Sequence, residues 1–396
     1  MVDHSILLKK LEHYGIRGNA LSWMKSYLSS RSQYVTIDGT NSASKPLQYG
    51  VPQGSILGPL LFIIYINDLP GISKIARFIL YADDANIIIT SNNIHDINEK
   101  VNTVGNQLAQ WVACNGLALN LKKTNYMIFS RQKVELPTPL KISNVTIERK
   151  TEARFLGVIF DEKLNWNSHV THLKAKMSRY VGIMYKVKRY LPLQARLQVF
   201  HSFVQSHLNY CSLVWGFSSK SNIRTIFSKQ KKGIRAVVPG FINYRYNEGI
   251  LPSHTKSYFN EYRILTIHGI IAANALTFIH KVRHFPNSLP GPLCKCIPNN
   301  SPVPGSDHET AEAWLNVYDN MHYRTSFFFK GPMLSTMKEF LDIAPASFHK
   351  IKIYKSEIKS ALLRYQAVGE VDEWLSSNII LNNIPGLRKS TRLART

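Results

Sequence analysis

The chain has 396 residues, 44% of them apolar, which is enough for two or three domains with buried cores. Its formal charge is +24 and its pI is near 9.8. So basic a balance points to a polyanionic partner. Nucleic acid comes before membrane, because no amphipathic anchor and no apolar run of membrane-spanning length is present.

Taken in chain order, residues 4–29 read as two short helices. Ile6, Leu7, Leu8 and Leu11 line the first; Leu21, Trp23, Met24, Tyr27 and Leu28 line the second, with Gly15 and Gly18 separating them. Residues 33–37 read as a strand ended by Asp38-Gly39, a strong hairpin pair. Gly50-Val51-Pro52-Gln53-Gly54-Ser55 reads as a loop that opens a helix. Ser55 is the expected N-cap, and Leu57, Leu60, Leu61, Ile64 and Tyr65 form the expected buried stripe. Gly50 and Gly54 let the backbone approach a ligand closely, and Gln53 offers both a donor and an acceptor.

The stretch 78–90 organises the rest. Ile75, Phe78, Ile79 and Leu80 precede a short polar centre, and Ile87, Ile88 and Ile89 follow it, so two buried strands are expected. Ala82-Asp83-Asp84-Ala85 is then the tip of a hairpin. Two adjacent carboxylates at an exposed tip call for a positive partner, and a divalent cation with oxygen ligands is the natural one. The plain alternative is an acidic turn, since Asp suits turns.

Ile94, Ile97, Val101, Val104, Leu108, Trp111 and Val112 follow a helical period that stops near Asn115-Gly116. This helix is expected to pack under the hairpin. The turn 116–124 leads to a strand over 126–129. Pro137 and Pro139 mark a loop, and residues 154–160 read as one strand. After Trp166 a long helix is expected, with Val170, Leu173, Met177, Tyr180, Val181, Met184 and Val187 inside. Lys174, Lys176, Arg179, Lys186, Lys188 and Arg189 cover its other faces, as a helix against a nucleic-acid backbone would need. A second helix follows Pro192 through Leu197, Phe200, Phe203 and Val204. A third, basic one covers 223–238 with Lys229, Lys231, Lys232 and Arg235.

Further helical patterns cover 264–282 and 348–365, divided by a Pro-, Asn- and Ser-rich loop over 284–308. Arg388, Lys389, Arg392 and Arg395 make the tail an electrostatic arm. Met1-Val2-Asp3-His4 does not read as a signal peptide. Cys114, Cys211, Cys294 and Cys296 give no disulfide framework, and Cys294-Lys295-Cys296 lacks a second pair at zinc spacing. An intracellular place, nuclear or cytoplasmic, is therefore expected rather than secretion.

Tyr81-Ala82-Asp83-Asp84 resembles the Tyr-x-Asp-Asp box of reverse transcriptases. The loop from Gly50 to Ser55 and the segment Phe155-Leu156-Gly157-Val158 stand around it in the matching order. Over residues 1–190, and more weakly beyond, the chain resembles the reverse transcriptase of non-LTR (LINE-like, jockey/CR1-type) retrotransposons. The resemblance implies an α+β fold. A polymerase palm of antiparallel sheet and backing helices would cover 1–160, a helical thumb-like region 161–240, and a helical C-terminal region with a basic tail 241–396.

The implied activity is RNA-directed DNA polymerisation by two-metal transfer, with Mg²⁺ or Mn²⁺ at Asp83 and Asp84 and Asp83 as the direct ligand. Gly50, Pro52, Gln53, Gly54 and Ser55, with Tyr81 and Ala82, would support the incoming nucleotide and template. Lys123 would assist departure of pyrophosphate, and Phe155, Leu156 and Gly157 would hold the primer end. The implied partners are an RNA template, a DNA primer or target, and deoxynucleoside triphosphates, with no membrane. In the family the opposing catalytic carboxylate lies just before the box that appears here as Val2-Asp3-His4. The chain is thus expected to begin after that carboxylate, without the fingers or an endonuclease domain. Asp3 is the nearest substitute, but its position at a helix start reads as a cap, and Asp68 reads as a helix end. The alternative expectation is a catalytically impaired, basic nucleic-acid-binding remnant of such an element. A viral RNA-dependent RNA polymerase is disfavoured by Tyr81-Ala82, where that class usually has Gly.

Overall fold

The computed structural model describes residues 2–130, 134–136, 138–238, 255–290 and 351–368. The chain divides into two compact units, Met1–Thr151 and Glu152–Thr396. Helix and strand are mixed in the first and helices dominate the second.

The first unit opens with α1 (His4–His13) and α2 (Gly18–Leu28). Asp3 starts α1. Its Oδ1 accepts from the Ser5 and Ile6 N–H groups at 2.8 and 3.1 Å and from the Ser5 hydroxyl at 2.6 Å. That satisfies donors which a helix start leaves without partners. Short strands follow: β1 (Ser32–Gln33), β2 (Thr36–Ile37), β3 (Thr40–Asn41) and β4 (Lys45–Pro46). The expected single strand over 33–37 is thus broken at Tyr34-Val35. Asp38-Gly39 does form the turn between β2 and β3, both residues with positive φ. Next come α3 (Leu57–Ile66), β5 (Ala76–Tyr81), β6 (Asp84–Ile89) and α4 (Ile94–Cys114).

One buried cluster joins Leu7 and Leu11 of α1, Leu28 of α2, and Leu61, Tyr65 and Ile66 of α3. Leu60, expected inside, is half exposed, and so is Ile63. The register of α3 turns those residues to the outer face while Leu61 and Tyr65 point in. A second cluster, Leu69, Leu108 and Val112, receives Phe78 and Leu80 of β5 and Ile87 of β6. So α4 packs under the hairpin as its apolar period requires. The remaining strands are β7 (Asn125–Tyr126), β8 (Lys141–Ile142), β9 (Val145–Thr146) and β10 (Glu148–Arg149). The strand expected over 126–129 is reduced to β7, which pairs parallel with β10, and Phe129 is exposed.

The second unit begins with β11 (Glu152–Phe155) and β12 (Val158–Asp161), a hairpin where one strand was expected. Its helices are α5 (Asn167–Val187), α6 (Leu193–Phe200), α7 (Ser206–Asn209), α8 (Ser212–Trp215) and α9 (Lys220–Val237). A short π-helical stretch, His201–Gln205, joins α6 to α7. Then follow α10 (Thr255–Glu261), α11 (Ile267–His284) and α12 (Ile351–Val368). Met177, Phe200, Leu208, Trp215, Ile226 and Ile234 are fully buried at the centre. Gln230 is buried there too. Its amide donates to the Leu265 carbonyl at 2.9 Å and its oxygen accepts from the Ile267 N–H at 2.8 Å. A buried amide so satisfied fixes one alignment of α9 against the start of α11. Most of the expected loop 284–308, Cys294, Cys296, Pro137 and the basic tail lie outside the described residues.

Candidate active site

The hairpin turns through two residues, Ala82 and Asp83, because Tyr81 pairs directly with Asp84. The expected four-residue tip is therefore shorter, and Asp84 and Ala85 belong to β6. Ala82 has φ +48°, a conformation that glycine adopts at less cost. The strands are not buried on both faces as expected. Phe78, Leu80 and Ile87 face the core, whereas Ile79, Tyr81 and Ile88 are 43%, 61% and 45% exposed. Period-2 alternation puts Tyr81 and Asp84 on that outer face. Asp83 and Asp84 are both exposed, and neither carboxylate has a hydrogen bond or ion pair among the described residues.

The loop from Gly50 to Ser55 is braced from two sides. The Gly50 N–H donates to the Val2 carbonyl at 2.7 Å, and the Gly50 carbonyl lies 2.7 Å from His4 Nε2. At the other end the Ser55 hydroxyl donates to the Pro52 carbonyl at 2.8 Å and accepts the Gly58 N–H at 2.9 Å. Ser55 thus caps α3 as expected, one residue before the strict cap position held by Ile56. Gly58 cannot be larger, since a Cβ there would meet the Pro52 carbonyl oxygen at 2.6 Å. Gln53 and Gly54 are exposed. Val51 of this loop and Leu80 of the hairpin pack against the same buried cluster, so one core positions both segments.

Lys10, which sequence reasoning passed over, holds this framework together with Tyr65. Lys10 donates to the Tyr65 carbonyl and pairs with Asp68, both at 2.7 Å, and its ammonium lies 5.0 and 5.1 Å over the Tyr65 and Trp111 rings. The Tyr65 phenol accepts the Asp3 N–H at 3.3 Å and donates to the Asn115 carbonyl at 2.5 Å. Burial pushes its pKa up. The one sequence signal for Lys10 was position, beside Leu11 on α1. Asp3 is a cap in the structure, and its own hydrogen bonds, first that from the Ser5 hydroxyl, hold its pKa below the ordinary value.

Lys123 sits in an exposed turn whose backbone N–H donates to the Asn120 carbonyl at 3.0 Å, and its ammonium has no ion pair among the described residues. Phe155, Leu156 and Gly157 belong to the second unit and are described there alone. Leu156 and Gly157 form the β11–β12 turn with φ +44° and +82°. The Tyr210 phenol donates to the Leu156 carbonyl at 2.5 Å, and a Cβ on Gly157 would stand 3.4 Å from the Tyr210 ring. The Trp215 indole in turn donates to the Tyr210 carbonyl at 3.0 Å.

Among the described residues no group of three or more His, Cys, Asp or Glu side chains is arranged to hold a metal ion. Asp83 and Asp84 suit one flank of a hard-cation site, with hard oxygen donors and no competing partner. No helix among the described residues is long and apolar enough to cross a membrane.

The segment that carries this hairpin and loop is similar in sequence to known proteins. Residues 1–160 match the family model described as reverse transcriptase (RNA-dependent DNA polymerase). More particularly, the relatives are enzymes of mobile elements, as expected for a LINE-like, non-LTR reverse transcriptase. The chain is 28% identical over 225 residues to the probable RNA-directed DNA polymerase from transposon X-element of Drosophila melanogaster, covering 54% of this chain and 24% of that one. It is 25% identical over 224 residues to the RNA-directed DNA polymerase from mobile element jockey of the same organism, covering 54% and 24%. It is 27% identical over 306 residues to the probable RNA-directed DNA polymerase from transposon BS, covering 69% and 32%. The chain thus spans a quarter to a third of the length of these curated relatives.

Proposed function

We propose that this chain carries the palm and thumb of an RNA-directed DNA polymerase and extends a DNA primer on an RNA template. The observation that carries the reading is the pair of exposed, unpaired carboxylates Asp83 and Asp84, fixed by a two-residue turn on a hairpin that shares its core with the Gly50–Ser55 loop. Asp83, in the turn, would bind a divalent cation directly, and Asp84, paired to Tyr81, would bind less directly or set the local field. When bound, Mg²⁺ or Mn²⁺ would neutralise charge on the phosphates and favour ionisation of the primer hydroxyl.

The chain's own groups then have separate tasks. The backbone of Gly50, Pro52, Gly54 and Ser55, the Gln53 amide and the outer face of Tyr81 and Ala82 would seat the nucleotide and template. Lys123 would meet the developing charge of the leaving pyrophosphate. Phe155, Leu156 and Gly157 would hold the primer end. The acid-free helices α5 and α9 would lie against the duplex backbone. Deoxynucleoside triphosphates, RNA template and DNA primer or target are the implied partners, met in the nucleus or cytoplasm.

The test is primer extension by the full chain on an RNA template with Mg²⁺, beside an Asp83→Asn/Asp84→Asn double variant. Extension that the variant lacks supports the polymerase. A second reading, a basic nucleic-acid-binding remnant, is favoured by one observation: no third carboxylate joins the pair among the described residues. Salt-dependent binding of template–primer without extension would establish that reading in place of the first.

A further inference from the structure

The sequence pattern put Trp23 among the residues lining α2, but its side chain is 57% exposed. Tryptophan is usually well buried, and leaving so much apolar surface in water is costly. Tyr27, one turn later, packs against the cluster around Leu28 and Leu61. Its ring stacks on the indole, with centroids 5.9 Å apart and planes 19° from parallel. Arg31, a further step along, lies over the same Tyr27 ring, with Cζ 5.3 Å from the centroid. Its Nη1 donates to the Tyr27 carbonyl at 3.4 Å. The three side chains therefore form a column that is anchored in the core at Tyr27 and ends at an exposed indole.

The charge around the column has one sign. Helix α2 contains no Asp or Glu, carries Lys25 and is preceded by Arg17. Arg31 is exposed and forms no ion pair among the described residues. Its guanidinium uses one N–H on the Tyr27 carbonyl and keeps the rest of its fork for an outside acceptor. A complement to a flat apolar face beside a free cation must join a flat ring to an anion. A nucleotide does so, its base stacking on the ring and its phosphate meeting the guanidinium. In a duplex the base faces are taken up by their neighbours, so the fitting partner is a single strand.

We propose that Trp23, Tyr27 and Arg31 form a binding site for single-stranded nucleic acid, in which the indole stacks on an unpaired base and Arg31 meets a backbone phosphate. The site stands on side chains of the first unit and holds whether or not the chain extends a primer.

Fluorescence anisotropy of the full chain tests it, without nucleotides, on two labelled strands of equal length: oligothymidylate and an abasic strand with the same phosphates. Wild type binds oligothymidylate more tightly than the abasic strand. Trp23→Ala weakens oligothymidylate binding at least about fivefold, as loss of one stacked base gives, and leaves abasic binding as it was. Trp23→Phe keeps most of the preference, since a ring remains. Arg31→Gln weakens binding of both strands and lowers the salt slope by about 0.7, one phosphate contact on a single strand. The proposal is overturned if Trp23→Ala binds oligothymidylate as wild type does. It is equally overturned if Trp23→Ala weakens both strands by the same factor, because the indole then acts through the fold and not on a base. Should Trp23→Ala fail to fold, Trp23→Leu, which keeps apolar bulk without a π face, is read in its place. Sedimentation supplies the last outcome. A wild-type dimer that Trp23→Ala turns into a monomer, with oligothymidylate binding unchanged, makes the indole a contact between two copies and overturns the proposal.

Discussion

At the scale of single residues, Asp3 and His169 show how protonation separates structural from chemical roles. Asp3 is the nearest substitute for the carboxylate that the resemblance implies upstream, yet its oxygen is committed to the start of α1. We predict that Asp3→Ala costs about 1 kcal/mol of stability, whereas Asp3→Asn, an equally good cap, changes it by a few tenths at most. Denaturant unfolding checks both; a large loss in the Asn variant would show that the carboxylate itself is needed. Because the folded pKa of Asp3 is depressed, its contribution is present above the ordinary value of 3.8 and lost as pH falls through the lower folded value. His169 behaves similarly at higher pH. It is 5% exposed, its Nδ1 accepts the Ile159 N–H at 3.3 Å, and burial, then His172 and Lys176, push its pKa down to about 4. The unfolded chain protonates near 6.5 and the folded chain does not, so stability is complete above 6.5 and falls between 6.5 and about 4. Melting temperatures across that interval should decline, and less steeply in His169→Gln. The Asp3 cap was legible because a cap is a local event, with Asp3 standing just before the apolar period of Ile6, Leu7, Leu8 and Leu11. The burial of His169 was not, because it depends on Trp215, 46 residues away, whose ring stands 5.7 Å from the imidazole.

At the scale of elements, hairpins divide the legible from the illegible. Asp38-Gly39 announced its turn because both residues tolerate positive φ. The turn at Leu156-Gly157 did not, because leucine is a poor residue for φ +44° and its apolar neighbours read as one continuous strand. Something else must hold Leu156 there, and the Tyr210 phenol on its carbonyl does so. Strain held by a neighbouring contact is a frequent mark of function. Leu156→Gly relieves the strain, so the variant should be no less stable than wild type and gain up to about 1 kcal/mol. If the leucine is kept for the primer, the same variant should bind template–primer several-fold more weakly. A variant both less stable and unchanged in binding would sink the argument. Ala82, in the Asp83 turn of the first unit, is also a non-glycine residue at positive φ. Helices were easier to read than strands. The long ones, α4 and α5, repeat their apolar residues over many turns, while strands of two residues carry no period at all.

At the scale of the whole molecule, the net charge of +24 is unevenly distributed. Helix α5 carries Lys174, Lys176, Arg179 and Lys186, and α9 carries Lys220, Arg224, Lys229, Lys231, Lys232 and Arg235; neither contains Asp or Glu. The two helices pack together through Val181, Met177, Ile226 and Ile234 of one buried core, which leaves most of these cations to the outside. Like charges held side by side repel one another. That repulsion lowers stability unless a polyanion offsets it. Each phosphate neutralised on duplex DNA releases condensed counterion, so the logarithm of affinity falls by about 0.9 per contact for each tenfold rise in salt. We therefore expect template–primer binding to weaken steeply with potassium chloride. Replacing Lys174, Lys176 and Arg179 by Gln should lower that slope by about three, with little effect on melting temperature because these are surface charges. Fluorescence anisotropy between low and moderate salt measures the slope directly. If the triple variant binds more weakly by the same factor at every salt concentration, the three side chains do not touch phosphate, and the duplex lies against a different face of the second unit.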